Sequence, residues 1–193
     1  MTTRARSKER VQESIQLVGH ICEAGALNEA GHDVKVTVVT GGKSVNGFYY
    51  DANALRAISQ MLEGARAYAD HGRSAADEAT RSVRDMVGFY KDAQYLPQDA
   101  TTPLGRVEAT LHVMEAAGWL WSLIQEAVTL GKPDLIGLSI DIFGIAEHDS
   151  QLQARAVKKV VALNSCDVVT RPSAGGAFQR ILHDDPLEGD VMT

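Results

Sequence analysis

Two stretches decide the fold of this 193-residue chain: "DLIGLSIDIFGIA" (134–146) and "AVKKVVALNSCDVVT" (156–170). Both are apolar runs rich in β-branched residues, too interrupted by single polar residues for a helical stripe, and they read as strands. Working outward, "HDVKVTVVTG" (32–41) sets Val34, Val36 and Val38 against Lys35, Thr37 and Val39, a strand signature. "RSVRDMVGFYKDAQYL" (81–96) is a further strand region. "GRVEATLHVM" (105–114) places Val107, Ala109, Leu111 and Val113 on one face and Glu108, Thr110 and His112 on the other. Asn46-Gly47 between strand-like runs predicts a hairpin.

Helical spacing appears in three places. Val11, Ile15, Val18 and Cys22 form a stripe over Arg6–Ala26; Leu55, Ile58, Met61 and Leu62 do so over Ala52–Arg66, with Asp51 or Asn53 as cap. Trp119, Leu120, Leu123, Ile124 and Ala127 mark a helix over Gly118–Leu130, stopped by Gly131-Lys132-Pro133. The glycine-rich "RPSAGGAFQRIL" (171–182) predicts a short helix, and His148 falls in a loop after the serine-bearing strand. Strands outnumber helices and do not alternate with them in a βαβα rhythm. The expected class is therefore α+β, a mixed or antiparallel barrel-like sheet with peripheral helices. The expected boundaries are a helical arm at 1–30, one domain at 31–183 and an acidic flexible tail at 184–193.

Composition narrows the function. A formal charge of −6 argues against a nucleic-acid binder. No apolar run reaches the roughly 18–20 residues that span a bilayer, and the charged start has no apolar segment behind it. The two cysteines, Cys22 and Cys166, are far apart without CxxC spacing, which fits a reducing compartment and packing roles.

Three positions can carry chemistry. Ser139 stands in "GLSID", which breaks the G-x-S-x-G pattern at Asp141 and stays in a strand, so a hydrolase elbow does not fit. It is either a satisfied core serine or a nucleophile awaiting a base. Of the six histidines, His71 in "YADHGRS" sits at an element end, either bonded locally to Asp70 or mounted for function. Asp167 interrupts an apolar strand, where a carboxylate needs a partner. That partner is a backbone amide, an arginine such as Arg171, or the imidazole of a triad. Asp70, His71, His112 and His148 lack metal-ligand spacing, and "SAGGAF" lacks the lysine of a phosphate loop.

Taken in order, "SVNGFYYDANAL" (44–55), "YADHG" (68–72), "RSVRDMVGFYKDA" (81–93), "DLIGLSIDIFG" (134–144) and "NSCDVVTRPSAGGAF" (164–178) resemble the prohead, or capsid-maturation, serine proteases of tailed bacteriophages. That family is related to the herpesvirus assemblins. The resemblance spans roughly Val34 to Leu182. It implies a herpesvirus-protease-like fold and a triad of His71, Ser139 and Asp167, with His148 or His112 as the alternative third member that the herpesvirus enzymes use. It also implies Arg171, or the amides of Ser173 to Gly176, as oxyanion donors. The implied activity is that of an endopeptidase, without metal or cofactor, that processes scaffold, the major capsid protein and itself inside an assembling prohead in the host cytoplasm. A homo-oligomer, dimer or ring, is implied too; nucleic acid and membrane are not expected partners. The rival reading is a non-catalytic assembly module that keeps the same fold.

Overall fold

The computed structural model describes residues 31–71, 80–132 and 135–170 in full, together with the backbone of 9–12 and 177–181. The chain is α+β, with strands predominating. The strands are β1 (Glu9–Gln12), β2 (Asp33–Thr40), β3 (Gly42–Lys43), β4 (Phe48–Tyr50), β5 (Arg66–Tyr68), β6 (Met86–Leu96), β7 (Arg106–Val113), β8 (Gly137–Asp149), β9 (Ala154–Val169) and β10 (Ala177–Ile181). They assort into two five-stranded sheets, ordered β1-β8-β9-β4-β3 and β10-β2-β7-β6-β5. Pairing is antiparallel except where β4 runs parallel to β9. The barrel-like expectation is thereby corrected: no barrel closes among the described strands, because each sheet keeps two ends.

Helix α1 (Ala52–Leu62) begins where Asp51 accepts from the Asn53 and Ala54 N–H groups, so the cap is Asp51. The helix ends short of the expected Arg66. Gly64, at φ +72°, turns the chain out of it, and Arg66–Tyr68 are already β5. α1 packs against β4 and β9 of one sheet and β6 and β7 of the other, burying Leu55, Ile58 and Leu62 between them. One apolar cluster joins these residues to Val34 and Val36 of β2, Leu111 of β7 and Leu138 and Ile140 of β8. Helix α2 (Gly118–Thr129) touches β7. Its buried side is Leu120, Trp121, Ile124 and Ala127, while Trp119 is 59% and Leu123 40% exposed. The buried stripe is thus rotated from the expected one, with Trp121 in place of Trp119 and Leu123.

Other expectations also shift. Residues 9–12, inside the stretch read as a helix, are a strand along β8; the remainder of 1–30 lies outside the described residues. Ala177–Ile181 pairs with β2 as a strand in place of a helix, so Phe178 and Ile181 carry the β-branched and aromatic signal that the preceding glycines obscured. His148 lies within β8 near its end, exposed. Glu108 and Thr110, on the expected polar face of β7, are buried. The Asn46-Gly47 hairpin forms between β3 and β4, with Gly47 at φ +80°. The tail, 184–193, lies outside the described residues.

Candidate active site

Ser139 and Asp167 meet through strand register. In the β8–β9 hairpin Ser139 faces Asp167 directly, and opposed residues of an antiparallel pair share a face. Their neighbours Leu138, Ile140, Cys166 and Val168 point to the other face and join the apolar cluster. An apolar strand with single polar interruptions is what such a hairpin requires: one face closes the core and the other holds an alcohol and a carboxylate. Both groups are 0% exposed.

His71 arrives from the second sheet. Past the end of β5, Ala69 makes a parallel bridge to Val168, and the Asp70 N–H donates to the Val168 carbonyl at 2.9 Å. The chain is thus stitched to β9 one residue beyond Asp167. Asp70 then takes φ +60°, a left-handed conformation that aspartate tolerates better than most residues. Strain of this kind gathers at functional sites. Here it turns the backbone immediately before His71.

The imidazole lies between the two hairpin groups. Its Nδ1 is 2.7 Å from Asp167 Oδ2, and its Nε2 is hydrogen-bonded to Ser139 Oγ. A carboxylate only accepts, so Nδ1 carries the proton, and Nε2 is left to accept from the Ser139 hydroxyl. The His71 side chain is 20% exposed and Asp167 is fully buried, which places the base between solvent and acid. The local alternative, His71 bonded to Asp70, is not what forms.

Arg81 is a fourth participant that the sequence did not single out. Its Nη1 donates to Asp167 Oδ2 at 3.0 Å and its Nη2 to the Asp70 carbonyl at 2.6 Å, while the guanidinium lies 4.3 Å over the Tyr68 ring. The side chain is almost wholly buried. One arginine therefore fixes the acid, grips the strained residue before the base and caps the strand that delivers both. The only available signal was the rule that a buried carboxylate needs a cation. That rule pointed to Arg171, nearer in sequence, because nothing in sequence spacing distinguishes a partner 86 positions away. Arg171 and Ser173 to Gly176 lie outside the described residues.

Asp167 Oδ1 has no hydrogen-bond partner among the described residues, so His71 and Arg81 both use Oδ2. A second buried acid, Asp141, sits two residues along β8 on the Ser139 face and accepts from Asn164 Nδ2 at 3.1 Å. On the core side the Tyr90 hydroxyl donates to the Cys166 carbonyl at 3.0 Å. Burial pushes the Tyr90 phenol and the Cys166 thiol well above their ordinary values, so both stay neutral there. His112 is elsewhere, half-buried against Asp33 at 2.7 Å and beside Phe89. His148 stands exposed near the far end of β8, and it is Asp167 that bonds His71 Nδ1. Among the described residues no three His, Cys, Asp or Glu side chains cluster as metal ligands.

The arrangement can move a proton from a serine hydroxyl to an imidazole while a carboxylate balances the charge. No protein-family model, curated protein or solved structure matches the chain.

Proposed function

We propose that the chain is a serine endopeptidase of the capsid-maturation kind, on a fold related to the herpesvirus assemblins, with Ser139 as nucleophile, His71 as base and Asp167 as orienting acid. The observation that carries this reading is the hydrogen-bonded run Ser139–His71–Asp167, assembled from two sheets. Three side chains from distant parts of the sequence, each nominated by a motif in the family's order, occupy the three positions the chemistry needs.

In the reaction, Ser139 Oγ attacks a peptide carbonyl while His71 Nε2 takes its proton. Asp167 stabilises the imidazolium and holds its tautomer. His71 then returns the proton to the departing amine, and the C–N bond breaks to leave an acyl-serine. Water, deprotonated by the same imidazole, releases the acid and restores the alcohol. Donors to the oxyanion would come from Arg171 or the amides that come after it. The substrates of such an enzyme are scaffold, the major capsid protein and the chain itself, inside a prohead in the host cytoplasm, with a dimer or ring as its working form.

The test is labelling by an alkyl fluorophosphonate together with co-expression alongside scaffold and capsid proteins. Wild type is expected to label at Ser139 and to process both partners, and Ser139→Ala to do neither while keeping the wild-type circular dichroism. Processing that persists in Ser139→Ala refutes the assignment and leaves the assembly-module reading.

A further inference from the structure

The nucleophile's strand has two neighbours. β9 occupies one side and brings Asp167; β1 occupies the other and is the end strand of its sheet. β1 runs antiparallel to β8 with Glu9 opposite Gly144, Arg10 opposite Phe143, Val11 opposite Ile142 and Gln12 opposite Asp141. The register advances one for one towards Ser139. An extended strand continued in this register would bring its second residue beyond the Gln12 position level with the nucleophile.

Without β1, this side of β8 presents a row of unpaired N–H and C=O groups, a template for any extended peptide. Peptides that add to a sheet edge gain affinity through their main chain, whatever their side chains. Neighbouring strands lie about 4.8 Å apart, and opposed Cα atoms about 4.5–5.5 Å apart. A residue level with Ser139 on that edge therefore brings its carbonyl within reach of a strand-mounted hydroxyl. The opposite side of β8 is closed by β9.

We infer that the edge of β8 covered by β1 is the substrate-binding edge. On the protease reading, on which this rests, an extended peptide binds there antiparallel to β8. Its residues on the acyl side of the scissile bond occupy the positions that β1 holds, its scissile carbonyl lies level with Ser139, and its amine side leaves towards Gly137. β1 is the chain's own tenant of that edge, and a substrate must displace it.

The experiment uses the full chain and two probes. One is a small alkyl fluorophosphonate, which needs only a competent Ser139 and His71. The other is a peptidyl phosphonate with six residues before its phosphorus, long enough to lie along the β1 positions. Successive N–H groups of a strand point to opposite sides, so Arg10→Pro/Val11→Pro removes a ladder donor whichever residue supplies it. In the double variant the peptidyl probe is expected to react about tenfold faster, the scale of one or two lost ladder hydrogen bonds. The small probe should react at its wild-type rate. Unchanged reactivity of the peptidyl probe beside normal small-probe labelling overturns the inference and leaves the protease reading intact. Absence of small-probe labelling in wild type overturns the protease reading, and this inference with it. If the double variant loses the wild-type circular dichroism, the single prolines replace it: one of the two opens the edge, and equal reactivity of both with wild type overturns the inference.

Discussion

On the protease reading, replacing Asp167 by asparagine separates the two duties of the acid, because Arg81 makes this arrangement different from a trypsin-type triad. There, the amide turns its NH2 to the imidazole, the wrong tautomer forms, and turnover falls about 10⁴-fold. Here His71 Nδ1 and Arg81 Nη1 share one oxygen, at 2.7 and 3.0 Å. A guanidinium has donors only, so it holds the amide carbonyl, not the NH2, at that place. The Nδ1–H tautomer survives and only the charge is lost. At a separation of about 4 Å and an effective dielectric of about 20, that charge stabilises the imidazolium by roughly 4 kcal/mol, or about 10³-fold in rate. The unbalanced Arg81 charge acts in the same direction. Long-range ¹H–¹⁵N correlation spectra of the neutral histidine read the tautomer directly. Asp167→Asn is expected to keep Nδ1–H, and Arg81→Met/Asp167→Asn to populate Nε2–H. An Nε2–H imidazole in the single variant would refute the claim that Arg81 orients the acid.

Three further outcomes rest on the packing. Asp33 is raised by burial but lowered further by Lys91 and His112, each at 2.7 Å, so its carboxyl titrates below the ordinary range. Its stabilising effect is therefore present above the ordinary carboxylate value and fades as pH falls through the depressed one; Asp33→Asn should cost about 1 kcal/mol at neutral pH and progressively less in acid, measured by urea unfolding. Gly88→Ala adds a Cβ 2.1 Å from the His112 carbonyl oxygen across the β6–β7 ladder and should destabilise by about 2–3 kcal/mol, visible as a lower Tm; wild-type stability would contradict the close approach. Cys166, buried with its thiol held neutral, should resist iodoacetamide until denaturant is added, and peptide mapping separates it from Cys22.

The strand pattern was legible where burial alternates, as in β2 and β7, and in the long hairpin of β8 and β9, whose apolar runs need no partner to be recognised. It failed where a short strand borrows its partner from far away. β1 and β10 are edge additions of four and five residues; the first lies in a stretch with helical spacing, and the second follows two glycines. Ser139 and Asp167 could be paired on paper once their strands were adjacent, but no periodicity says which residue faces which. That is set by the bulges between Asp141 and Ile142 and further along the hairpin. His71 was legible only through the motif around it. Its position depends on a parallel bridge between Ala69 and Val168, a contact 99 positions apart in sequence that local propensity cannot encode.

The site's precision is therefore a property of backbone pairing more than of side-chain choice. A one-residue slip of β9 against β8 would turn Asp167 into the apolar core and bring Cys166 or Val168 opposite the serine face. Such a slip would also bury an unpaired carboxylate, which costs several kcal/mol. It would carry the Val168 anchor of the His71 segment with it, so base and acid would be displaced together rather than one at a time. Arg81 resists that movement from both ends, because it grips Asp167 on one sheet and the Asp70 carbonyl on the segment leaving the other. The same pairing that closes the core between the sheets thus also holds the alcohol, imidazole and carboxylate in line. A mutation that loosens the β5–β9 seam should cost reactivity at Ser139 before it costs global stability.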